Sequence, residues 1–285
     1  MIITIVGPTG VGKTKLSIEL AKRFNAEIIN ADSAQIYQEM NIGTAKITDL
    51  EGMTHHLLNI KKLNEDYTVY DFQKEGRLII NNILKKGKNI IIVGGSGLYI
   101  SALLFDYKFN KEDKNKLLNI SVNEMFSELL KNNIRVDKNN HQRIIRLYNK
   151  HILNKEPINI KAENKILYDT LIIGLTTNRD NLYQRINNRV DNMIKEGLLE
   201  EVKFLFNKYP QSKQLRTTIG YKEFINYFNQ IQTIEEVIEK IKQNSRRFAK
   251  RQYTWFNNKM KVIWFDTNYE NFNKTIKQIE KYINN

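Results

Sequence analysis

The sequence predicts an α/β fold: a P-loop-containing parallel sheet with flanking helices, plus an inserted small helical domain. Three observations predict it. Short apolar runs alternate with amphipathic stretches through residues 1–105, the rhythm of a parallel sheet with helical crossovers. A glycine-rich octapeptide stands between the first strand and the first helix, and residues 106–168 turn polar, rich in Lys and Asn, with no strand pattern.

Taken in order, Ile2–Val6 is an unbroken apolar run and reads as a buried strand, as parallel strands covered on both faces do. Lys13–Phe24 follows as a helix, 27–30 as a second strand, 69–86 as a helix and Asn89–Val93 as a third strand. Short helices are expected within 106–168. Residues 170–175, Thr-Leu-Ile-Ile-Gly-Leu, return to the sheet; helical patterns cover 179–208 and 233–253, residues 262–265 form the last strand, and an amphipathic helix closes the fold. The expected organisation is a P-loop core of 1–105 and 170–285, interrupted by a helical domain at 106–169. There is no internal repeat.

Composition narrows the chemistry. The 285 residues include no cysteine, which removes thiol nucleophiles, disulfide frameworks, iron–sulfur clusters and cysteine-ligated zinc. Hydrophobic residues make up 41% with only 3 prolines, enough for a real core. No run of about 18 uncharged apolar residues occurs, and the opening reads as a strand without a basic leader, so a cytoplasmic protein with no membrane partner is expected. The net charge of +14 is uneven: residues 1–105 hold 12 Lys/Arg against 10 Asp/Glu, and the rest hold 33 against 21. A basic field favours a polyanion such as nucleic acid; a composition biased toward Lys, Asn and Ile produces the same charge as a solvated surface.

The strongest local signal is Gly7-Pro8-Thr9-Gly10-Val11-Gly12-Lys13-Thr14, which follows a strand and opens a helix. The glycines let backbone amides turn inward on an anion, Lys13 adds a mobile cation, and the Thr14 hydroxyl suits Mg²⁺. Such a loop implies a diphosphate or triphosphate without saying whether phosphorus or carbon is attacked. After the second strand comes Asp32-Ser33-Ala34-Gln35-Ile36-Tyr37. Positions beyond the carboxyl ends of parallel strands face the ligand crevice, where Asp32 can hold magnesium through water, take a proton, or cap a helix. The third strand ends in a second glycine-rich turn, Gly94-Gly95-Ser96-Gly97-Leu98-Tyr99.

In the basic part, Gln142, Arg143 and Arg146 share one helical turn, with Ile144 and Ile145 as its anchors. Residues 216–222 form a short basic turn, and residues 246–256 interleave cations with aromatics, Arg247 and Arg251 standing four apart. Such stripes suit a phosphate backbone and unstacked bases.

These segments together resemble the tRNA dimethylallyltransferases, or tRNA isopentenyl transferases. The resemblance is carried by residues 7–14, Asp32 to Tyr37 with Gly43-Thr44-Ala45-Lys46, His55-His56, residues 94–99, 142–146 and 185–193 followed by Gly197-Leu198, then Ile219-Gly220-Tyr221, and Ala249-Lys250-Arg251-Gln252 before Trp255-Phe256. Ser96 stands where the family usually has threonine, and the stretch between Leu104 and Asp137 is shorter than the family leads one to expect. The resemblance implies transfer of a dimethylallyl group from dimethylallyl diphosphate to the exocyclic N6 amine of the adenine 3′-adjacent to the anticodon, in tRNAs reading codons that begin with U. Asp32 would take the proton from the amine. Lys13, the loop amides, Mg²⁺ on Thr14, and Arg216 would neutralise the leaving diphosphate. By the same resemblance Asp32, Ser33, Ala34, Gln35, Ser96, Gln142, Arg143, Ile144, Ile145 and Arg146 touch the tRNA anticodon stem-loop, and Arg247 and Arg251 follow its phosphates. A monomer is expected. The alternative is a small P-loop nucleotide or metabolite kinase, which would use the same loop on ATP.

Overall fold

The computed structural model describes residues 1–107, 109, 120–155 and 165–285. Six parallel strands form one sheet in the order β3-β2-β4-β1-β5-β6. They are β1 Ile2–Val6, β2 Ala26–Asn30, β3 His55–His56, β4 Asn89–Val93, β5 Thr170–Thr176 and β6 Ile263–Asp266. The α-helices among the described residues are α1 Lys13–Phe24, α2 Val69–Lys85, α3 Gly97–Leu104, α4 Val122–Lys131, α5 His141–Tyr148, α6 Arg179–Lys195, α7 Leu198–Lys208, α8 Lys213–Thr217, α9 Phe224–Phe228, α10 Ile234–Lys259 and α11 Phe272–Asn284, and a π-helical segment, Asn149–Leu153, continues α5.

Alternate strand residues feed opposite layers, as the pleat requires. Ile3, Ile5, Ile28, Ile91 and Ile173 pack against Leu16 and Leu20 of α1 and Ile276 and Ile279 of α11. Ile2, Val6, Ile29, Ile90 and Ile92 pack against Phe72 and Ile80 of α2, Leu103 of α3 and Phe256 of α10. Burial on both faces explains why these strands read as continuous apolar runs.

Three departures from the sequence reading have local causes. The helical pattern over 179–208 is two helices, because Gly197 takes a left-handed φ of 97° and donates to the Ile194 carbonyl, ending α6 before α7 begins. The turn after β4 runs straight into α3 from Gly97. The short edge strand β3 pairs through two residues only, Ile28 with His55 and Ile29 with His56, too few to leave an apolar run in the sequence.

The chain divides into two compact units, Met1–Phe105 with Ile166–Asn285, and Asp106–Lys165. Within the second unit, α4 opens with a capping box between Ser121 and Glu124, and Met125, Leu129, Ile134, Ile144 and Tyr148 form its core. The helices expected elsewhere in 106–168 fall partly on 108, 110–119 and 156–164, outside the described residues. Among the described residues no helix is long and apolar enough to cross a membrane.

Candidate active site

The carboxyl ends of β1, β2 and β4 lie side by side, and the three segments that leave them, beginning at Gly7, Ala31 and Gly94, form one wall of a cavity of about 420 Å³. Gly7 takes a φ of 138°, and a Cβ there would stand 2.6 Å from the Leu175 carbonyl oxygen, so the loop can leave β1 only as glycine. Helix α1 begins at Gly12 with no side-chain cap and no acidic residue in its first turn. By contrast, α2, α4 and α10 each carry a capping box. The amides of Gly10, Val11 and Gly12 have no partner among the described residues. Orphan donors at a helix start are an anion site.

The Lys13 ammonium donates to the Pro8 carbonyl at 2.7 Å. Burial pushes its pKa down to about 7; the Asp32 carboxylate opposes that and the nearby Arg189 cation adds to it. Asp32 Oδ1 accepts the Ala34 amide at 3.0 Å in a tight turn, which leaves Oδ2 without a partner among the described residues. No helix follows Asp32 before β3, so this bond closes a turn and the helix-capping role does not arise. Ser33 donates its amide to Ser96 Oγ at 3.0 Å, and Ser96 Oγ donates to Ser33 Oγ at 3.2 Å, tying the turn after β2 to the turn after β4.

Facing this wall are α6 and α10. Arg189 enters the cavity from α6 and donates to the Thr44 carbonyl at 3.1 Å, which also accepts Gln35 Nε2 at 3.2 Å. The loop that carries Thr44 is clamped by Glu201, whose carboxylate accepts the amides of Asn41, Ile42 and Gly43 and the Tyr221 hydroxyl at 2.7 Å. Burial lowers the Lys46 pKa to about 8 despite Glu201 and Asp32, and its ammonium donates to Tyr37 O at 2.6 Å and Asn59 Oδ1 at 2.7 Å. Ile186, Val190, Met193, Ile241 and Phe248 give the cavity an apolar side.

Several residues singled out in the sequence meet here: Thr9, Lys13, Thr14, Asp32, Ser33, Ala34, Gln35, Ser96 and Arg251 all line the cavity. Three expectations change. Arg216 does not reach it: its guanidinium is exposed on α8 and donates to the Pro210 carbonyl at 2.8 Å. The arginine that lines the cavity near Lys13 and Asp32 is the half-buried Arg189. Arg251 is a cavity residue as well as an exposed cation, lying over the Phe248 ring. Ile144 and Ile145 do not act as a pair: Ile144 is buried in its own unit's core and unable to touch RNA, whereas Ile145 is exposed beside Gln142, Arg143 and Arg146. Arg189 was legible in principle. It stands among Ile186, Val190 and Met193 on the apolar face of α6, where a cation loses part of its water and therefore needs a partner or a task.

A model of the IPP transferase family matches residues 35–259. The chain belongs to the IPP transferase family. A tRNA dimethylallyltransferase of Anoxybacillus flavithermus is 45% identical, over 99% of this chain and 96% of that protein. Among solved structures, the tRNA delta(2)-isopentenylpyrophosphate transferase of Staphylococcus epidermidis is 37% identical with a TM-score of 0.77, covering 99% of this chain and 98% of the other. A eukaryotic dimethylallyltransferase acting on tRNA is 29% identical with a TM-score of 0.82, covering 98% and 77%. Family membership disfavours the kinase alternative.

Proposed function

We propose that the protein is a tRNA dimethylallyltransferase: it moves the dimethylallyl group of dimethylallyl diphosphate to N6 of the adenine 3′-adjacent to the anticodon, in tRNAs reading codons that begin with U, giving N6-(dimethylallyl)adenosine and diphosphate. The observation that carries this reading is the shared cavity, in which an uncapped glycine loop, the half-buried cations Lys13 and Arg189 and a half-free Asp32 carboxylate face an apolar wall. Charge for a diphosphate and surface for a short hydrocarbon are both present. In the reaction a bond forms between N6 and the allylic C1 while C1–O breaks. The N6 proton goes to Asp32 Oδ2, and the electron pair leaves with the diphosphate. Lys13, Arg189 and the loop amides meet the charge that develops on the departing oxygen. A stacked adenine cannot enter such a cavity, so the base is turned out of the anticodon loop.

The oxygen donors fit Mg²⁺, which takes one or two protein oxygens and completes its shell with phosphate and water. Thr14 and Asp32 both line the cavity, and no cluster of three or more His, Cys, Asp or Glu stands among the described residues to form an all-protein cage for another metal. Thr14 would hold the ion directly and Asp32 through water. When bound, it supplies positive charge to the diphosphate oxygens.

For RNA, the candidate contacts of the first unit are Ser33, Gln35 and Ser96, which line the cavity, with Arg247 and Arg251 on α10; those of the second unit, taken by itself, are Gln142, Arg143, Ile145 and Arg146 on α5. The second unit is accordingly read as a tRNA-contacting domain, the protein as a cytoplasmic monomer. Replacing Arg143, Arg146, Arg247 or Arg251 singly by Gln is expected to flatten the plot of log affinity against log salt by roughly 0.7 per lost single-strand phosphate contact. Arg251→Gln should in addition slow transfer, because its side chain borders the cavity; binding titrations at several salt concentrations and single-turnover rates separate the two effects. An unchanged slope in all four variants would reduce these arginines to a solvated surface.

The two arginines are distinguished by rate. Arg189→Ala is expected to slow single-turnover transfer roughly 10²–10³-fold at saturating substrates, the cost of removing one donor from a developing oxyanion. Arg216→Ala should cost far less. Equal losses would return the leaving-group role to Arg216.

The decisive experiment for the function incubates the protein with labelled dimethylallyl diphosphate, Mg²⁺ and unmodified tRNA. Label in the tRNA, at the adenine 3′ to the anticodon, is expected. An unlabelled tRNA with phosphate transferred from ATP to a small acceptor would establish the kinase instead.

A further inference from the structure

Gln252 follows Arg251 on α10, yet its side chain is buried while that of Arg251 is exposed. Both ends of its amide are used. The carbonyl oxygen accepts the Thr9 amide of the P-loop at 2.9 Å, and the NH₂ donates to the Gly95 carbonyl at 2.9 Å. The packing is tight at that point, since a Cβ on Gly95 would lie 2.2 Å from Gln252 Nε2 and 4.0 Å from Lys13 Nζ. One turn further along α10, Trp255 fills the space over Gly97, where a Cβ would meet Trp255 Cδ1 at 2.2 Å, and its Nε1 donates to Ser101 Oγ at 3.3 Å. Helix α10 is thereby keyed to the segment after β4 and, through Gln252 alone of these residues, to the P-loop. The same stretch of α10 carries Arg247 and Arg251 toward solvent.

We propose that Gln252 is a positioning residue that couples RNA binding on α10 to diphosphate binding in the P-loop. The inference rests on the functional reading above, in which α10 faces tRNA and the loop faces diphosphate. RNA seated on Arg247 and Arg251 holds α10, and Gln252 holds the Thr9 amide, so that the neighbouring amides of Gly10, Val11 and Gly12 are ordered for the anion. A carboxamide suits the task because it accepts from one backbone N–H and donates to one backbone carbonyl at once, which neither a carboxylate nor a thioether can do. Coupling between two bound ligands is reciprocal, so diphosphate must tighten RNA binding by the factor by which RNA tightens diphosphate.

Titration calorimetry on the full chain with inorganic diphosphate, alone and with a saturating anticodon stem-loop RNA, tests this. In the parent, RNA should tighten diphosphate binding at least about fivefold, the lower end of ordinary coupling. Gln252→Met should lose about tenfold in diphosphate affinity, the worth of one well-placed hydrogen bond, and its coupling factor should fall to about one, with RNA affinity in the absence of diphosphate unchanged. Gly95→Ala leaves Gln252 in the sequence but presses on its amide, and should give the same two changes; it decides the matter should Gln252→Met not fold. In steady state, KM for the prenyl diphosphate should rise more than kcat falls, a split that loss of folded protein does not produce. Retention of the parent's coupling by a folded variant overturns the proposal, as does joint loss of both affinities with a collapsed melting transition in Gln252→Met and Gly95→Ala alike. A parent that binds both ligands independently overturns the coupling while the functional reading stands; a parent that binds neither overturns both.

Discussion

Asp32→Asn is expected to lower the single-turnover transfer rate by roughly 10²–10⁴-fold, the usual worth of a positioned general base, while tRNA affinity stays within a few-fold. The substitution is chosen for what it keeps. Asparagine retains an oxygen for the Ala34 amide, which Asp32 Oδ1 accepts at 3.0 Å, and so preserves the turn after β2. What it loses is the basicity of Oδ2, the oxygen without a partner among the described residues. An exocyclic aromatic amine is a weak nucleophile whose proton must leave as the new bond forms, so the loss is felt in the transition state more than in binding. Rapid-quench measurement with both substrates saturating isolates the chemical step. Near-normal turnover would refute the role, and a melting temperature far below the parent's would return Asp32 to a purely structural part.

Lys13→Met is expected to produce the second large effect, a loss of roughly 10²–10³-fold in transfer rate together with weakened inhibition by inorganic diphosphate. The pH dependence gives this prediction a sign. Burial holds Lys13 at about 7 against an ordinary 10.5, so its charge is lost as pH rises through 7, and the parent's affinity for diphosphate should fall over the same range by up to about tenfold per unit. The variant should lack that pH dependence. Stability runs the other way. A lysine whose folded pKa lies below its unfolded one destabilises the fold most fully below about pH 7, and the penalty fades as pH rises toward 10.5. Lys13→Met should therefore melt higher than the parent at pH 6, with the difference shrinking at alkaline pH. A variant that melted lower and kept its pH-dependent inhibition would remove Lys13 from the phosphate site.

What the sequence by itself determined was local or periodic. The octapeptide 7–14 was readable as a glycine turn from strand to helix because positive-φ glycines, a strand before it and a helix after it are properties of adjacent residues. The central strands were readable because burial on both faces forces continuous Ile and Val. Asp32 was readable because the end of a parallel strand has only one place to go, the ligand edge of the sheet.

Tertiary structure decided which way side chains on the surrounding helices point. Arg216 and Arg189 are equally basic in the sequence; docking of α8 turns one to the Pro210 carbonyl, and the phase of α6 turns the other into the cavity that Asp32 also lines. Ile144 and Ile145 are chemically identical neighbours, and only the packing of α4 on α5 makes one core and leaves the other exposed. Gln252 joins two segments more than 150 residues away, Thr9 by 243 and Gly95 by 157. No window of adjacent residues contains such a contact. A helix's rotation about its axis is set by the whole set of apolar contacts it makes, so the role of a polar residue on it becomes defined only once every partner is in place.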